Sequence, residues 1–526
     1  MRNICLITFA GCTVWSRISK KAKGEYVKYR SREGVRQGDM PAALLFCLVF
    51  TDAALEACEG TLGNPLQALW LYMDDVTTVA TVTEVLQYKA KLEVSLAKLG
   101  LKLNMKKSRA LVDRCTDTEL ELLRLAGFQL DRGTTRVLGS PVGDREKCTE
   151  WVQRKVDGWG QFWRRLRSED LRPITALQLL AKCGNVKFEH LSKSLHPDAT
   201  RVPAGLFDDE VMKTARHVLG IKGYVDVNVM RAALNLRPYR VISEPLYNCT
   251  VELTAGRIVS VKEEVKNTLQ AYYARLGDLP FIEAHIRAVQ GDTAADVLYS
   301  SAPLSSAPIS THDFSQAMRL RVGVLPDRLP HECDGCNLSG GQYFFGALPE
   351  PRSAFCHLMN CNGNYGKTHT TRHHCVVQAI MDVLHLYNIR STRHGLEKLD
   401  VKGELIPDLE IYLRKRVIID VKVVDDVHGL KEALQLVEKE KHEKYDNLAE
   451  GIGMTFFAVP MSAYGHLGTD SHRFIAHMAK TVHISRRSEF KKTLRCAMQH
   501  ALLEGTSEVI DSTLQRLAGA NKNFLA

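Results

Sequence analysis

The chain has 526 residues, 45% hydrophobic and 25% charged, with 70 Lys and Arg against 60 Asp and Glu for a formal charge of +10. That composition is expected of a soluble, globular, multidomain protein; it excludes a disordered or fibrous class, and its moderate, diffuse basic excess is compatible with phosphate-backbone partners. No run of eighteen apolar residues occurs, so no membrane partner is expected, and the 14 cysteines, with no secretory leader, point to reduced thiols, some of them ligands.

Near the start, the apolar run from Ile4 to Trp15 reads as an interior element rather than a signal-peptide core. The segment Ser31 to Asp39 contains Gly34, Arg36, Gln37 and Gly38 and leads into a helix-like apolar stretch, Ala42 to Phe50. Leu66 to Leu71 and Val76 to Ala80 read as two strands, with Tyr72-Met73-Asp74-Asp75 at the turn between them. Paired carboxylates suit in-line phosphoryl transfer because Mg2+ takes oxygen ligands and keeps several waters. Downstream stand Gly100-Leu101-Lys102-Leu103-Asn104-Met105-Lys106-Lys107 and Ala126-Gly127-Phe128.

The order and spacing of these segments resemble the later palm motifs of non-LTR retrotransposon reverse transcriptases. The resemblance implies that Arg36, Gln37 and Gly38 contact template and nucleotide, that Asp74 and Asp75 bind Mg2+ or Mn2+, and that Lys107 protonates the leaving pyrophosphate. Lys107 also fits a solvated surface lysine. Two departures stand out. Met40-Pro41-Ala42 replaces the usual small-residue and proline pair, and the segment with the family's first catalytic aspartate is not matched, since the first Asp is Asp39. Residues 1–135 are therefore expected to form a partial, N-terminally truncated palm without polymerase activity of its own.

Residues 136–225 are dense in helical periodicity and basic side chains, as expected of a helical thumb gripping a duplex through Arg164, Arg165 and Arg167 or of a solvated helix face. Residues 226–312 mix short apolar segments with Pro and Ser-Ala stretches and read as a connector. Residues 313–375 carry Cys333, Cys336, His357 and Cys361, two close pairs separated by a loop, which is what a tetrahedral structural Zn2+ needs. Cys356, His369, His373, His374 and Cys375 crowd that set. Arg372 and His373 are candidates for DNA phosphate; His373 alternatively caps a helix.

Residues 376–490 hold the second candidate site. Pro407 to Tyr412 and Val417 to Val424 read as strands joined by the basic turn Leu413 to Arg416. A hairpin centred on Arg414 sets Asp408 opposite Asp420 with Cβ atoms roughly 5 Å apart, and alternation puts Lys422 on the Asp420 face. Two carboxylates side by side call for a cation, and Lys422 is suited to orient water or steady the phosphate. From Glu438 to Tyr445 the pattern is helical, with Lys441, Lys444 and Tyr445 on one face, either against DNA or as a solvated stripe. Residues 491–526 read as a helical tail.

Together, Arg319-Leu320-Arg321, the Cys/His set, Arg372-His373, Pro407-Asp408, Asp420 to Lys422 and Lys444-Tyr445 resemble site-specific non-LTR retrotransposon proteins, in the order those proteins carry them. In that family a reverse transcriptase is followed by a CCHC zinc motif and a restriction-like endonuclease. The resemblance implies an α+β multidomain fold: partial right-hand palm, helical thumb, zinc knuckle and a PD-(D/E)xK endonuclease domain. It further implies target-primed reverse transcription in the nucleus, with element RNA, target DNA and dNTPs as partners. The competing expectation is a non-catalytic remnant that only binds nucleic acid.

Overall fold

The computed structural model describes residues 5–9, 41–223, 225–254, 261–275, 289, 310–324, 367–393, 406–424 and 430–523. Arg36, Gln37, Gly38, Cys333, Cys336, His357 and Cys361 lie outside them. The fold mixes α and β, and the described chain forms two compact units: Met1–Asp157 with Ser194–Pro203, and Gly158–Lys193 with Ala204–Ala526. Among the described residues no helix is long and apolar enough to cross a membrane.

The first unit is built on a five-stranded sheet in the order β2-β3-β1-β4-β5: β1 (Cys5–Phe9), β2 (Leu69–Tyr72), β3 (Asp75–Ala80), β4 (Arg109–Val112) and β5 (Gln129–Arg132). The apolar run near the start supplies the central strand, antiparallel to both β3 and β4. Helices α1 (Ala42–Cys58), α2 (Val82–Lys98) and α3 (Asp117–Leu125) pack with the sheet, burying Phe50, Ala54, Val85, Tyr88, Leu92 and Leu123 together. Thr81 and Thr116 start α2 and α3 through reciprocal capping boxes with Glu84 and Glu119, satisfying amides that a helix end leaves open. The expected strand from Leu66 is shorter than read: Pro65 opens a single helical turn, Pro65–Ala68, its fixed φ suiting a first helical position. Strands β6 (Thr134–Val137) and β7 (Ser140–Gly143) form a separate ribbon ahead of α4 (Arg145–Asp157).

The second unit begins helical, with α5 (Gly160–Leu166), α6 (Pro173–Leu179), α7 (Pro197–Val218, from Ala204 on), α8 (Val227–Leu234) and α9 (Tyr239–Thr254). Trp163, Phe188, Phe207 and Tyr239 gather there with ring centroids 5.3–5.6 Å apart along the chain of contacts. The stretch from residue 227 to 254, expected as a connector, instead contributes Met230, Ala233, Tyr239 and Ile242 to this core. Arg321 closes α10 (Thr311–Arg321): its buried guanidinium donates to the carbonyls of Ala233, Val289 and Tyr464, and burial pulls its pKa down to about 10.

The unit's C-terminal half is a four-stranded sheet in the order β11-β10-β9-β8: β8 (Ser391–Thr392), β9 (Leu409–Ile411), β10 (Val417–Val424) and β11 (Thr455–Ser462). β8, β9 and β10 are antiparallel neighbours, while β10 and β11 run parallel and need the crossover helix α12 (Leu430–Gly451). Alternation divides β10 between two cores. Val417, Ile419, Val421 and Val423 pack against α11 (Lys367–Leu386), α13 (Thr469–Thr481) and α14 (Arg487–Asn523). Ile418 faces the other way, against Tyr445 and Ala449 of α12. The segment expected as a tail is thus a core element, with Leu494, Met498, Ala501 and Leu502 buried. Gly505 lets α14 approach α11 closely, since a Cβ there would meet the Arg372 Cα at 2.7 Å.

Candidate active site

Two hairpins carry the carboxylates singled out from sequence. In the first, Tyr72 pairs with Asp75, which leaves Met73 and Asp74 as the loop of a two-residue hairpin, with Met73 in the left-handed region at φ 54°. Asp74 and Asp75 are half-buried. The neighbouring strand is β1, Cys5-Leu6-Ile7-Thr8-Phe9, whose Phe9 pairs with Val76 and which contains no carboxylate. Lys107 is exposed on the turn where Asn104 O accepts the Lys107 and Ser108 amides at 3.0 and 3.2 Å. Gly127, at φ 90°, brings the end of α3 against Met105 in that turn, with its would-be Cβ 3.4 Å away.

In the second hairpin the register is the expected one. Ile411, Glu410 and Leu409 pair with Val417, Ile418 and Ile419, symmetric about Arg414. The paired residues stop one short of Asp408 and Asp420: Asp408 lies in a bend just before β9, its amide donating to Ile419 O at 3.0 Å. Asp408 Oδ2 accepts the Val421 amide at 2.6 Å. The pleat that removes Val417, Ile419 and Val421 into one core delivers Ile418, Asp420 and Lys422 to the other face, beneath α12. Asp420 is 6% exposed, whereas Lys422, at the open end, is exposed.

Three elements bring side chains to these carboxylates. From α12, Lys441 Nζ lies 2.6 Å from Asp420 Oδ1, an ion pair with side chains 23% and 8% exposed. One turn on, Tyr445 is buried, stacks on Phe456 at 4.9 Å and donates its hydroxyl to Ile406 O at 3.2 Å. Burial first, then the charges of Asp420 and Asp408 and a hydrogen bond to Asp420, push the Tyr445 hydroxyl pKa up, so it stays a neutral donor. From α11, His373 Nδ1 lies 3.1 Å from Val421 O, and its Nε2 lies 2.9 Å from Asp408 Oδ1. Lys444 is exposed, its ammonium 5.3 Å from the Tyr445 ring centroid.

Sequence reading placed Lys441, Lys444 and Tyr445 on one helical stripe; the structure puts Lys441 and Tyr445 at the carboxylates and leaves Lys444 at the rim. Arg372, expected at a phosphate, is 1% exposed within the packing of α11 on α14. His373 is turned to Asp408 rather than outward. Of the arginines expected to grip a duplex, Arg164 and Arg165 are exposed, while Arg167 is paired with Glu210 at 3.0 Å. Sequence reading missed His442, whose ring bridges Asp446 at 2.8 Å and Asp470 at 3.1 Å. Burial alone lowers its pKa, but the two carboxylates outweigh that and raise it. Its i, i+4 spacing to Asp446 was the available signal.

The oxygen-only donors of Asp408 and Asp420 fit Mg2+ or Mn2+, ions that bind through one or two carboxylates and complete their shell with water and phosphate. Each carboxylate has more lone-pair positions than its amide, imidazole or ammonium neighbours use. Among the described residues, no group of three or more His, Cys, Asp or Glu gathers in the manner of a closed metal cage. Searched against descriptions of known families and against curated proteins, the chain gives no match.

Proposed function

We propose that this chain is a metal-dependent DNA endonuclease of the restriction-like type joined to a partial reverse transcriptase palm, and that it acts in target-primed reverse transcription. The observation that carries the reading is that the β9–β10 hairpin brings the Asp408 carboxylate to the amide of Val421, the residue after Asp420, while Lys441 pairs with Asp420 and the Tyr445 hydroxyl feels the charges of both acids. The element order supports it. Helix α11, the antiparallel strands β8, β9 and β10, crossover helix α12 and parallel β11 make a mixed α/β layer, compatible with the α/β endonuclease domain that the resemblance implies.

Asp408 and Asp420 would hold Mg2+ or Mn2+, which when bound neutralises phosphate charge and acidifies its water. The chain's own groups do the rest. Val421 N and His373 fix the Asp408 carboxylate, and the β10 backbone fixes Asp420, so the two acids are set before substrate arrives. Lys422, exposed on the same face, meets the scissile phosphate and balances charge as water oxygen bonds to phosphorus and the bond from phosphorus to the 3′ oxygen breaks. The products are a 5′ phosphate and a 3′ hydroxyl that can prime synthesis on element RNA in the nucleus. Lys441 holds Asp420 before substrate and stays within reach of the developing charge.

The β2–β3 hairpin inside a five-stranded sheet supports a palm ancestry for the first unit. Asp74 and Asp75 have no third acid from β1, so template-directed addition of dNTPs by this chain is not expected. Cys333, Cys336, His357 and Cys361 are proposed to bind one structural Zn2+, to be checked by metal content of the purified protein. Nicking of supercoiled DNA in Mg2+ or Mn2+, with Asp420→Ala alongside, tests the central reading. Cleavage lost in the variant supports it; no cleavage by the unaltered chain leaves a nucleic-acid-binding remnant.

A further inference from the structure

The basic excess, diffuse over the chain as a whole, concentrates at one corner. Residues 480–492 hold Lys480, Arg486, Arg487, Lys491 and Lys492 against Glu489 alone, a net +4 within a chain whose whole charge is +10. This stretch joins α13 to α14 through a single 3-10 turn, Ile484–Arg486.

Packing fixes the corner from beneath. Arg487 folds back to donate to the carbonyls of Val482 and Lys480, at 3.3 Å each, and so satisfies the open end of α13. Phe490 is fully buried and meets the ring of Tyr387, just after α11, edge-on at 4.9 Å. The Arg486 guanidinium lies over that ring at 4.6 Å and pairs with Glu489 at 3.4 Å. Lys480, Lys491 and Lys492 are left exposed. A fourth lysine comes from the β9–β10 turn: His477 of α13 has its pKa lowered by burial first and then by Lys480 and Lys415, so both ammonium charges act on one ring. A cation at the carbonyl end of α13 suits the helix dipole, which accounts for Lys480 and Arg487. Lys491 and Lys492 cap nothing, and gathering like charges costs the folded chain self-repulsion that a polyanion would relieve.

We propose that this corner, Lys480, Lys491 and Lys492 with Lys415 and Arg486 beside them, holds the phosphate backbone of a nucleic-acid duplex. The proposal rests on the reading above for its class of partner, though not for its position. Lys415 stands two residues before the first residue of β10, whereas Asp420 is the fourth residue of that strand and Lys422 lies further on. The corner is therefore a second contact, apart from the acids. Tyr387 is covered by Arg486 and Phe490 is buried, so neither ring is open to a base, as binding of a single strand would favour. Lysines alone against phosphates set position without reading sequence, and a duplex offers its phosphates outward with its bases already stacked.

The test measures binding of a mixed-sequence DNA duplex to the full chain over a range of salt, without added Mg2+ or Mn2+ so that nothing is cut. A matched RNA hairpin and a single strand serve as further probes. Lys480→Gln, Lys491→Gln and Lys492→Gln are combined in one variant; these exposed side chains take no part in closing the corner, so the fold is kept. A control variant removes three exposed lysines of the helical half, Lys213→Gln, Lys222→Gln and Lys266→Gln. The corner variant should bind duplex roughly tenfold or more weakly, with a slope of log K on log salt shallower by about one for each phosphate no longer neutralised. The control should change both much less. Loss with either duplex supports the proposal, and the larger loss identifies the duplex held. Wild-type affinity and slope in the corner variant, an equal loss in the control, or a loss confined to the single strand would each overturn it. Metal-dependent nicking is scored separately, and at saturating duplex the corner variant should keep the unaltered rate. Weakened binding in a chain that never nicks removes the nuclease reading and leaves the surface; nicking with unaltered binding in the corner variant does the reverse.

Discussion

Both hairpins of this molecule present two aspartates, and they differ in how the backbone arranges them. In the β2–β3 hairpin the acids are consecutive, Asp74 in the loop and Asp75 at the strand's first position, so the pleat does not place them on one face. In the β9–β10 hairpin they are twelve positions apart in sequence, each one residue past the last cross-strand pair, with Lys441, His373 and Tyr445 supplied by two helices. A carboxylate pair becomes a site when the fold makes it expensive to leave without a cation. By that measure the less conspicuous pair is the better built, while the strand beside the conspicuous one, β1, carries no acid.

The sharpest way to break this comparison is activity. Asp420→Ala should lower metal-dependent nicking by at least about 100-fold, the scale of removing a group that supports transition-state charge; primer extension by the same preparation should be undetectable. The reverse pattern would mean the hairpins were ranked wrongly. Next comes stability. Lys441→Ala leaves Asp420 buried without its ammonium and should cost about 2 kcal/mol, below the full value for a buried pair because Lys441 keeps some exposure. Urea titration reads that change, and added Mg2+ should recover part of it by binding the folded state. No recovery would count against metal at these acids.

A smaller effect tests the cluster behind the site. The His442 pKa is raised in the folded chain, so its contacts with Asp446 and Asp470 stabilise fully below its ordinary value near 6.5 and fade as pH rises through the folded value. Because the ring is partly exposed, the contribution is about 0.5 kcal/mol. His442→Gln should remove that much of the stability difference between mildly acid and mildly alkaline buffer; an unchanged profile would show the bridge to be inert. Smallest is Met73→Gly. A left-handed φ costs a side chain about 1 kcal/mol, and glycine returns part of it as unfolded-chain entropy, so a gain of about 0.5 kcal/mol is expected. Slower amide exchange in β2 and β3 would register it. Faster exchange would mean that the approach of Met73 to Cys47 at 3.5 Å matters more than the backbone.

What could be read from the chain beforehand follows a physical divide. Strand alternation and a short basic turn are local, and they were enough to set the β9–β10 register about Arg414 and to put Asp420 and Lys422 on one face. The hairpin around Asp74 and the crossover helix through Glu438 to Tyr445 were legible for the same reason. Tertiary partners were not. Nothing within α11 says that His373 faces Asp408 while Arg372 turns into the α14 packing, because that depends on a helix more than a hundred residues later. Tyr445 looked like part of a surface stripe since only the apposition of β11 buries it on Phe456. The helices between residues 227 and 254 were obscured by Pro238 and Pro245, which interrupt the apolar period without preventing Tyr239–Thr254 from being helical.

Arg321 has a consequence for how the second unit comes apart. Its one guanidinium ties carbonyls from α8, from residue 289 and from the loop after β11, while α14 completes the core under β10. The four-stranded sheet therefore has no clean seam: a fragment cut at residues 376 and 490 would leave behind both its fastening and much of its hydrophobic floor. On heating or in denaturant, the helices and the sheet should be lost in a single transition, and libraries that shuffle this sheet between proteins will need to carry α10 and α14 with it.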